Sequence, residues 1–411
     1  MFIYKSRQSN GANRLRFDEF SALLLICLLL TTACSHTTAY IRPDTPKLAE
    51  PAPPDEQVNY RLFLIGDAGE PAKKHAEPVL KSLADRAGII NDRTAVIFLG
   101  DNIYPAGLPV PDAPQRAELE RKLVAQIEVM KNSGAQGIFV PGNHDWNHGG
   151  EGGQAALKRQ EEFVENELGD GAFLPVGGCP GPVKLDFDGI RLIVIDTQWW
   201  LHKHEKPISE CFEKKGIDTE HKAKEQFIHD LTSHIASAGN RQVVIVAHHP
   251  LATHGPHGGF FDWKDHIFPL TELVDWLYIP MPVIGSLYPL IRWQIVKSDQ
   301  DLAGSENKKL VHSLTDAISK SNKPVIYAAG HDHALQVLQG DGKTGFILIS
   351  GLGSEAKASK VGHGDDTLFA HVQPGFMELD FLKNGNVYLR VFEQKEEGSG
   401  YEIAFSSWVV E

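Results

Sequence analysis

The sequence has few cysteines, no excess of basic residues and no uninterrupted apolar run long enough for a transmembrane helix. Lys and Arg number 40 against 53 Asp and Glu, so the formal net charge is −13. This acidity excludes the basic stripe that is typical of nucleic-acid-binding proteins, and we expect no nucleic-acid partner. The apolar stretch Ser21–Leu30 is shorter than the ~20 residues that a transmembrane helix needs.

The N-terminal residues carry the features of an export signal. Four basic residues precede the apolar stretch, and Thr32-Ala33-Cys34 follows it. This order resembles a bacterial lipoprotein signal. We therefore predict that residues 1–33 are a signal peptide, cleaved before a lipid-carrying Cys34. The predicted location is the bacterial cell envelope, as a periplasmic or outer-membrane lipoprotein; plain secretion and an uncleaved anchor stay open as alternatives.

Only two of the four cysteines are available for a disulfide bond. Cys27 lies in the predicted signal peptide and Cys34 is the predicted lipid site, which leaves Cys179 and Cys211. An exported compartment permits disulfides, so we predict that these two are bonded, with two free thiols as the alternative. Residues 34–57 are rich in Pro, Thr and Ala and are typical of a tether.

Short apolar runs alternate with segments of helical periodicity through most of the chain. This alternation predicts βαβ units, with a parallel-rich sheet covered by helices on both faces. After His333 the pattern changes to successive strands, with a hairpin turn at Lys383-Asn384-Gly385-Asn386, which predicts a second, antiparallel sheet. The parallel-type strands are predicted at residues 61–65, 95–99, 137–140, 191–195, 242–247 and 324–329.

Polar residues follow most of these strands, where ligands bind in α/β sheets. They comprise two carboxylates, one amide, one phenol and three imidazoles, all of them hard or borderline metal ligands. This inventory suits two metal ions that share one carboxylate, the arrangement used to hydrolyse phosphate esters. The residues are Asp67, Asp101, Tyr104, Asn143, His248, His331 and His333.

The motifs around these residues resemble those of the calcineurin-like metallophosphoesterases, and most closely the purple acid phosphatase branch of tartrate-resistant type. Tyr104 carries the distinction, because general metallophosphoesterases have Asp-x-His in the first motif and no tyrosine here. The resemblance implies an α/β fold, a four-layer αββα sandwich of mixed sheets flanked by helices, over residues 58–411. The motifs are Gly66-Asp67-Ala68-Gly69, Gly100-Asp101-Asn102-Ile103-Tyr104, Gly142-Asn143-His144-Asp145, Ala247-His248-His249-Pro250 and Gly330-His331-Asp332-His333.

The resemblance also implies how the ligands are shared. Asp101 would bridge the two ions, and His249 would be a spacer. A phenolate oxygen favours a trivalent ion, so Fe(III) is expected at the Tyr104 site. Asp67, Tyr104 and His333 would hold Fe(III). Asn143, His248 and His331 would hold the second ion, which is Fe(II), Zn or Mn.

The implied activity is hydrolysis of phosphomonoesters, small-molecule substrates, by metal-bound hydroxide. Two cations lower the pKa of bound water, which makes hydroxide available near neutral pH. His144 and His254 are the candidate proton donors to the leaving group, and Asp145 would orient His144 or support the fold. Two alternatives stay open: a phosphodiesterase acting on nucleotides or lipid head groups, and a non-catalytic metal- or phosphate-binding envelope protein.

An apolar insertion at about residues 267–300 departs from the family pattern. Between Trp276 and Ile291 the sequence has no charged residue, and three prolines argue against a membrane helix. We predict that the insertion is buried on the domain. A hydrophobic lid, a substrate wall and a membrane-facing patch are the alternatives. We expect the histidines between the motifs, at positions 202, 204 and 221, to be exposed.

Overall fold

Two β-sheets form the centre of this computed structural model. It describes residues 38–72, 77–272, 276–281, 285–354, 358–395 and 400–410. The stretch Ala39–Glu411 is one compact unit. The predicted signal peptide and Cys34 lie outside the described residues. Among the helices that the structure describes, none is long and apolar enough to cross a bilayer.

The first sheet has eight strands and mixes parallel with antiparallel pairs. The four central strands run parallel to one another, and each of the four outer strands runs antiparallel to a neighbouring strand. In spatial order it comprises β1 (Tyr40–Ile41), β11 (Thr367–His371), β9 (Leu335–Gln339), β10 (Thr344–Ser350), β8 (Val325–Ala329), β7 (Gln242–Val246), β6 (Ile190–Val194) and β5 (Val183–Phe187).

The second sheet has six strands. Three of them are parallel and come from the N-terminal part, and three are antiparallel and come from the C-terminus. Its order is β14 (Tyr401–Val410), β13 (Val387–Gln394), β12 (Gly375–Leu382), β2 (Val58–Ile65), β3 (Thr94–Phe98) and β4 (Gln136–Phe139).

Five helices longer than two turns lie between the strands in the part of the chain that the structure describes. They are α1 (Pro78–Ala87), α2 (Arg116–Ser133), α3 (Gly153–Leu168), α4 (Glu220–Ala236) and α5 (Ser305–Ser319). Short helices occupy Thr197–Leu201, Ser209–Phe212, Trp263–Ile267 and Leu287–Leu290.

The side chains of β2 show why the sheets stack and why helices cover them. Leu62 and Leu64 point into a core that both sheets share, where residues of β7 such as Val244 also lie. Phe63 and Ile65 point the other way, into a core with the helices. Successive residues of a strand face opposite sides, so a strand buried on both faces is apolar throughout. The predicted four-layer αββα sandwich is confirmed.

Two details of the predicted topology are wrong. The parallel strands do not form one sheet, because β2, β3 and β4 belong to the second sheet and β6, β7 and β8 to the first. The C-terminal strands do not make a separate sheet either, since they extend both. The apolar pattern of a strand shows that both its faces are covered but not which strand it pairs with.

Part of the predicted tether lies against the sandwich. Tyr40–Ile41 pairs with β11, and the amide of Ala49 donates to Ser406 Oγ at 3.0 Å. These contacts hold the chain on the domain before its first long strand begins. The predicted bond between Cys179 and Cys211 is present, with a Cα–Cα distance of 5.5 Å.

Six large apolar side chains in the described part of the apolar insertion are exposed, so the prediction of a buried insertion is wrong for them. Trp276 is 77% exposed, Tyr278 61% and Leu290 50%. Its described regular structure comprises a 3-10 helix at Pro269–Glu272, the helix Leu287–Leu290 and a π-helical turn at Ile291–Val296. Prolines prevent a long helix here, so the segment cannot lay one continuous apolar stripe on the domain.

Six charged residues near α1 form what we call the ion-pair cluster. Arg61, on β2, is fully buried and bonds to Asp380, its partner on β12, with an Nε–Oδ1 distance of 2.5 Å. Arg86 of α1 bonds to Glu378 at 2.6 Å. The complete cluster is Asp55, Arg61, Arg86, Glu378, Asp380 and Arg390.

Candidate metal centre

The predicted metal ligands gather where strands of both sheets end. Asp67 follows β2 and Asp101 follows β3, both in the second sheet, whereas His248 follows β7 and His331 follows β8 in the first. The site therefore lies across the carboxyl ends of parallel strands, as in other open α/β sheets. We call the seven residues Asp67, Asp101, Tyr104, Asn143, His248, His331 and His333 the ligand cluster.

Three members of the ligand cluster have a left-handed backbone conformation. The φ angles are 57° at Asp67, 53° at Asp101 and 72° at His331. Non-glycine residues with positive φ are uncommon, and they concentrate at functional sites where the surrounding structure imposes them. At each of these positions the strand ends and the chain turns sharply, which directs the side chain into the cluster.

Tyr104 lies between the two carboxylates in one half of the ligand cluster. Its hydroxyl oxygen is 2.9 Å from Asp67 Oδ1, 3.2 Å from Asp101 Oδ2 and 3.1 Å from His333 Nε2. Both the phenol ring and the carboxylates are buried. The three donors expected to hold the first metal are thus mutual neighbours.

The other half is built around His248. Its Nε2 is 2.9 Å from Asn143 Oδ1, 3.1 Å from His331 Nδ1 and 3.4 Å from Asp101 Oδ2. Asp101 Oδ2 therefore lies close to both Tyr104 and His248, one from each half. This is the position that a bridging carboxylate requires.

Two glycines allow these groups to approach. A Cβ at Gly142 would lie 2.3 Å from Asp101 Oδ1, and one at Gly100 would lie 2.6 Å from His248 Nδ1. Gly100 also has φ of 90°, which disfavours any side chain. Both glycines belong to the predicted motifs, where they keep space for the ligand side chains.

Hydrogen bonds distinguish His248 from its neighbour His249. The His248 Nδ1–H donates to the Leu99 carbonyl oxygen at 2.9 Å, which leaves Nε2 free to face the cluster. His249 has its Nδ1 2.8 Å from Thr197 Oγ1 and its Nε2 2.8 Å from Gln300 Oε1. Both ring nitrogens of His249 therefore have partners outside the ligand cluster, although one of them lies within 4.8 Å of ring nitrogens of His248 and His331. This arrangement supports His248 as the ligand.

The carboxylates dominate the electrostatics of the protein groups. Burial would lower the pKa of His248, but the adjacent Asp101 outweighs it and raises the value to about 9. Burial, followed by the charges of Asp101 and Asp67, raises the pKa of Tyr104 well above its usual range. A bound cation reverses such shifts, because it stabilises phenolate and neutral imidazole.

Asp145 supports the site instead of lining it. Its carboxylate is buried and accepts hydrogen bonds from the amides of Gly142 at 2.7 Å and Asn102 at 3.0 Å. Gln160 of α3 donates a third bond at 2.9 Å. Asp145 thereby joins the loops that carry the second and third motifs, and its bonds favour the fold-supporting role over orienting His144.

The two candidate proton donors occupy different places. His144 lines a cavity of about 410 Å³ beside the ligand cluster. Its Nδ1 is 2.6 Å from the Pro105 carbonyl oxygen, and its Nε2 is 3.9 Å from Asp101 Oδ2. His254 is absent from the described lining of that cavity and lies 2.6 Å from Asp366 through Nε2.

About half of the residues that line this cavity were not predicted from the sequence. Six residues without a predicted role line it beside four ligands and His144. No motif or spacing signals them, because they come from loops and from the insertion. They are His148, His257, Arg292, Ser298, Gln300 and Asp301.

The ligand cluster fits two metal ions on the chemistry of its donors. Asp67, Asp101 and His248 have ligand atoms within 4.8 Å of one another, all buried. Two carboxylates and one imidazole surround the Tyr104 hydroxyl, whereas His248 is next to one carboxylate, one amide and a second imidazole. Oxygen-rich sites suit harder ions, and imidazole suits Fe, Zn and similar ions.

Comparison with known proteins agrees with this geometry. The family model of the calcineurin-like phosphoesterases matches residues 60–335, which is more than half of the chain. The chain belongs to the calcineurin-like phosphoesterase family. The predicted family is confirmed, and with it metal-dependent phosphoesterase chemistry as the general activity.

Similar proteins extend the likeness to the purple acid phosphatase branch. Purple acid phosphatase 7 of Arabidopsis thaliana is 21% identical over 362 residues, which are 87% of each chain. Purple acid phosphatase 17 of the same plant is 20% identical and covers 84% of this chain and 82% of its own. Among solved structures, GAP50, described as the anchor in the inner membrane complex of Plasmodium, has a TM-score of 0.50 at 17% identity. That match covers 86% of this chain and 89% of GAP50, and it concerns the fold alone.

Proposed function

We propose that the protein is a phosphatase of the purple acid phosphatase type, which hydrolyses phosphomonoesters at a dinuclear metal site. The observation that carries the proposal is the position of Asp101 Oδ2, 3.2 Å from the Tyr104 hydroxyl and 3.4 Å from His248 Nε2. One carboxylate oxygen thus joins a phenol-containing half and an imidazole-containing half. The low-identity plant relatives, both purple acid phosphatases, support the same branch.

The ligand cluster divides between the two ions as the motifs suggest. Asp67, Tyr104 and His333 would hold Fe(III), and Asn143, His248 and His331 would hold Fe(II), Zn or Mn, with Asp101 between them. When bound, two such ions supply an activated water and neutralise the charge of the phosphate.

His144 is the favoured proton donor for the leaving oxygen. Its Nδ1–H donates to the Pro105 carbonyl, which fixes the ring and leaves Nε2 to carry the transferred proton. Its side chain lines the cavity, whereas His254 is held by Asp366. His254 therefore remains the second candidate. Asp145 acts on His144 only by fixing the loop in which both lie.

Two chromogenic esters test the reaction class. We expect the metal-loaded protein to cleave p-nitrophenyl phosphate faster than bis(p-nitrophenyl) phosphate, and to lose activity when a chelator removes the metals. A preference for the bis-ester would establish the phosphodiesterase alternative, acting on nucleotides or lipid head groups. Activity that survives complete metal removal would contradict the proposal.

A non-catalytic metal- or phosphate-binding envelope protein is the remaining alternative. GAP50, which has a similar fold, is described as an anchor. The convergence of all seven ligand side chains argues for turnover in this chain. Metal-replete protein that binds phosphate but cleaves neither ester would establish the alternative.

We also propose that the protein is a lipoprotein of the bacterial cell envelope, held to the membrane through Cys34. The Cys179–Cys211 bond supports export, since disulfides persist in oxidising compartments. The exposed apolar residues of the insertion support a membrane-facing surface, because aromatic side chains favour the membrane interface. We call Trp276, Tyr278, Ile279, Leu287, Leu290 and Ile291 the apolar face.

A series of contacts links Tyr40 to the insertion. Cys34 precedes Tyr40 by six residues, which span at most about 20 Å. Tyr40 stacks on His363 with ring centroids 3.8 Å apart. The preceding residue, Gly362, lies against the Phe260 ring, and the glycine before Phe260 lies against Trp293 of the insertion. A lipid on Cys34 would therefore bring the membrane near the apolar face.

Brominated lipids test this arrangement with the full-length chain. In vesicles that contain them we expect tryptophan fluorescence to be quenched, and Trp276→Phe to remove a large part of the quenching. Trp408→Phe, in β14, is the matched control that should leave the quenching unchanged. Unquenched fluorescence would contradict the membrane-facing surface. Palmitate labelling that persists in Cys34→Ala would contradict the lipid site.

A further inference from the structure

The cavity beside the ligand cluster includes one arginine that the insertion supplies. We propose that Arg292 binds the terminal phosphate of the substrate and makes the site prefer dianionic monoesters to monoanionic diesters. This inference rests on the proposed function, and it assigns the substrate preference to the insertion as well as to the metal ligands.

Arg292 lies where two cavities meet. It lines the 410 Å³ cavity together with the ligands Asp101, Asn143, His331 and His333. It also lines an adjoining cavity of about 380 Å³, which shares His331 and His333 with the first. A phosphate bound at the ligand cluster therefore occupies a space that the guanidinium also lines.

Asp301 holds the guanidinium in place. Arg292 Nη2 is 3.2 Å from Asp301 Oδ1, and Nε is 3.5 Å from Oδ2. Asp301 is buried, and its Oδ1 is also 2.8 Å from His257 Nδ1. The ring of Phe261 lies 5.8 Å from the guanidinium carbon. These contacts fix one edge of the group before substrate arrives.

The charge of the substrate explains the expected preference. A guanidinium has five N–H donors, more than Asp301 and the hydroxyl of Tyr288 take up together, so it can bind a phosphate as well. Near neutral pH a phosphomonoester carries between one and two negative charges, whereas a diester carries one. A fixed cation next to the ligand cluster therefore stabilises the bound monoester more strongly than the bound diester.

The test compares Arg292→Gln with the wild type in two readouts. We expect the ratio of kcat/KM for p-nitrophenyl phosphate to that for its bis-ester to fall about tenfold, the effect of one charge-assisted hydrogen bond. Calorimetry should show inorganic phosphate binding about tenfold more weakly, with unchanged metal content. Arg292→Lys should recover part of both effects, because it keeps the charge but loses the fork geometry.

Arg241→Gln is the matched control, since this arginine lies near the end of α4 and touches Asp186, away from both cavities. It should change neither readout. An unchanged ester ratio and unchanged phosphate affinity in Arg292→Gln, with wild-type activity intact, would overturn the inference alone. If the wild type cleaves no ester, the proposed function fails, and equal phosphate affinity of wild type and variant would then overturn the inference as well.

Discussion

Strand β2 connects two buried polar clusters of opposite character. Arg61, within the strand, belongs to the ion-pair cluster, and Asp67, two residues beyond its end, belongs to the ligand cluster. In the ion-pair cluster three guanidinium groups face three carboxylates. In the ligand cluster two carboxylates face a phenol, an amide and three imidazoles.

The two clusters compensate their buried charges in different ways. Buried charges are tolerated when opposite charges and hydrogen bonds compensate them, and the ion-pair cluster achieves this with protein groups alone. The ligand cluster has no arginine or lysine. Asp101 raises the pKa of His248, and burial together with the two carboxylates raises the pKa of Tyr104. Compensation in the ligand cluster requires added cations, which is the mark of a metal site rather than of a structural network.

The strongest test of this difference is Asp101→Asn. Loss of the bridging charge should remove metal and lower kcat/KM by roughly 10³-fold or more, since the site depends on preorganised charge. Metal analysis and ester kinetics measure these effects. Wild-type metal content and kcat/KM in the variant would contradict the bridging role of Asp101.

Arg61→Ala should give the opposite pattern. It leaves Asp380 without its main partner in a buried position, which should cost about 3–5 kcal/mol of unfolding free energy. The variant's folded fraction should keep its metal content and kcat/KM. Urea unfolding measures the loss.

Arg42→Ala is the control for this change. Its partner Asp44 is exposed, so we expect a much smaller loss of unfolding free energy than for Arg61→Ala. A loss below about 1 kcal/mol for Arg61→Ala would show that the ion-pair cluster does not depend on its arginine.

His202 belongs to neither cluster and is a buried polar residue without a polar partner among the described residues. We expect its substitution to change stability less than those of Asp101 and Arg61. His202 was expected to be exposed, but it is buried against Trp146, and neither ring nitrogen has a partner among the described residues. Burial lowers the pKa of His202 to about 4. The unfolded chain takes up the proton near pH 6.5, so stability is lost as pH falls from about 6.5 towards 4.

His202→Leu should remove about 1–2 kcal/mol of this acid destabilisation. Urea unfolding of both proteins between pH 7 and about pH 4 measures it. The neighbouring His204, which is exposed, gives the control variant His204→Gln. Equal pH dependence in wild type and His202→Leu would contradict a neutral, buried His202.

Much of the fold followed from local patterns. Apolar runs with polar ends gave the inner strands, because a strand buried on both faces has a distinct composition. Strands β5 and β14 were missed, since polar or partly exposed residues recur along their length. Strand β11 was missed because its buried run contains only three consecutive apolar residues. Which sheet each strand joins depends on long-range pairing, which no local pattern encodes.

The site was predictable to the extent that its residues follow strands. Each ligand stands in a short motif at a strand end or close behind it. Arg292, Gln300 and Asp301 enter the cavity from the insertion and the loop after it, so only the tertiary structure brings them there. The exposure of the insertion was likewise unpredictable, because an apolar composition does not show what covers it.

The visible spectrum, recorded with a metal analysis of the same sample, tests directly whether the site holds Fe(III) at Tyr104 beside a second metal ion. We expect two metal ions per chain, one of them iron, and a tyrosinate-to-Fe(III) band that makes the protein purple. Tyr104→Phe should abolish the band, because it removes the phenolate from the Asp67 side of the ligand cluster. A colourless protein with zinc or manganese in both positions, or with one metal ion per chain, would contradict the account.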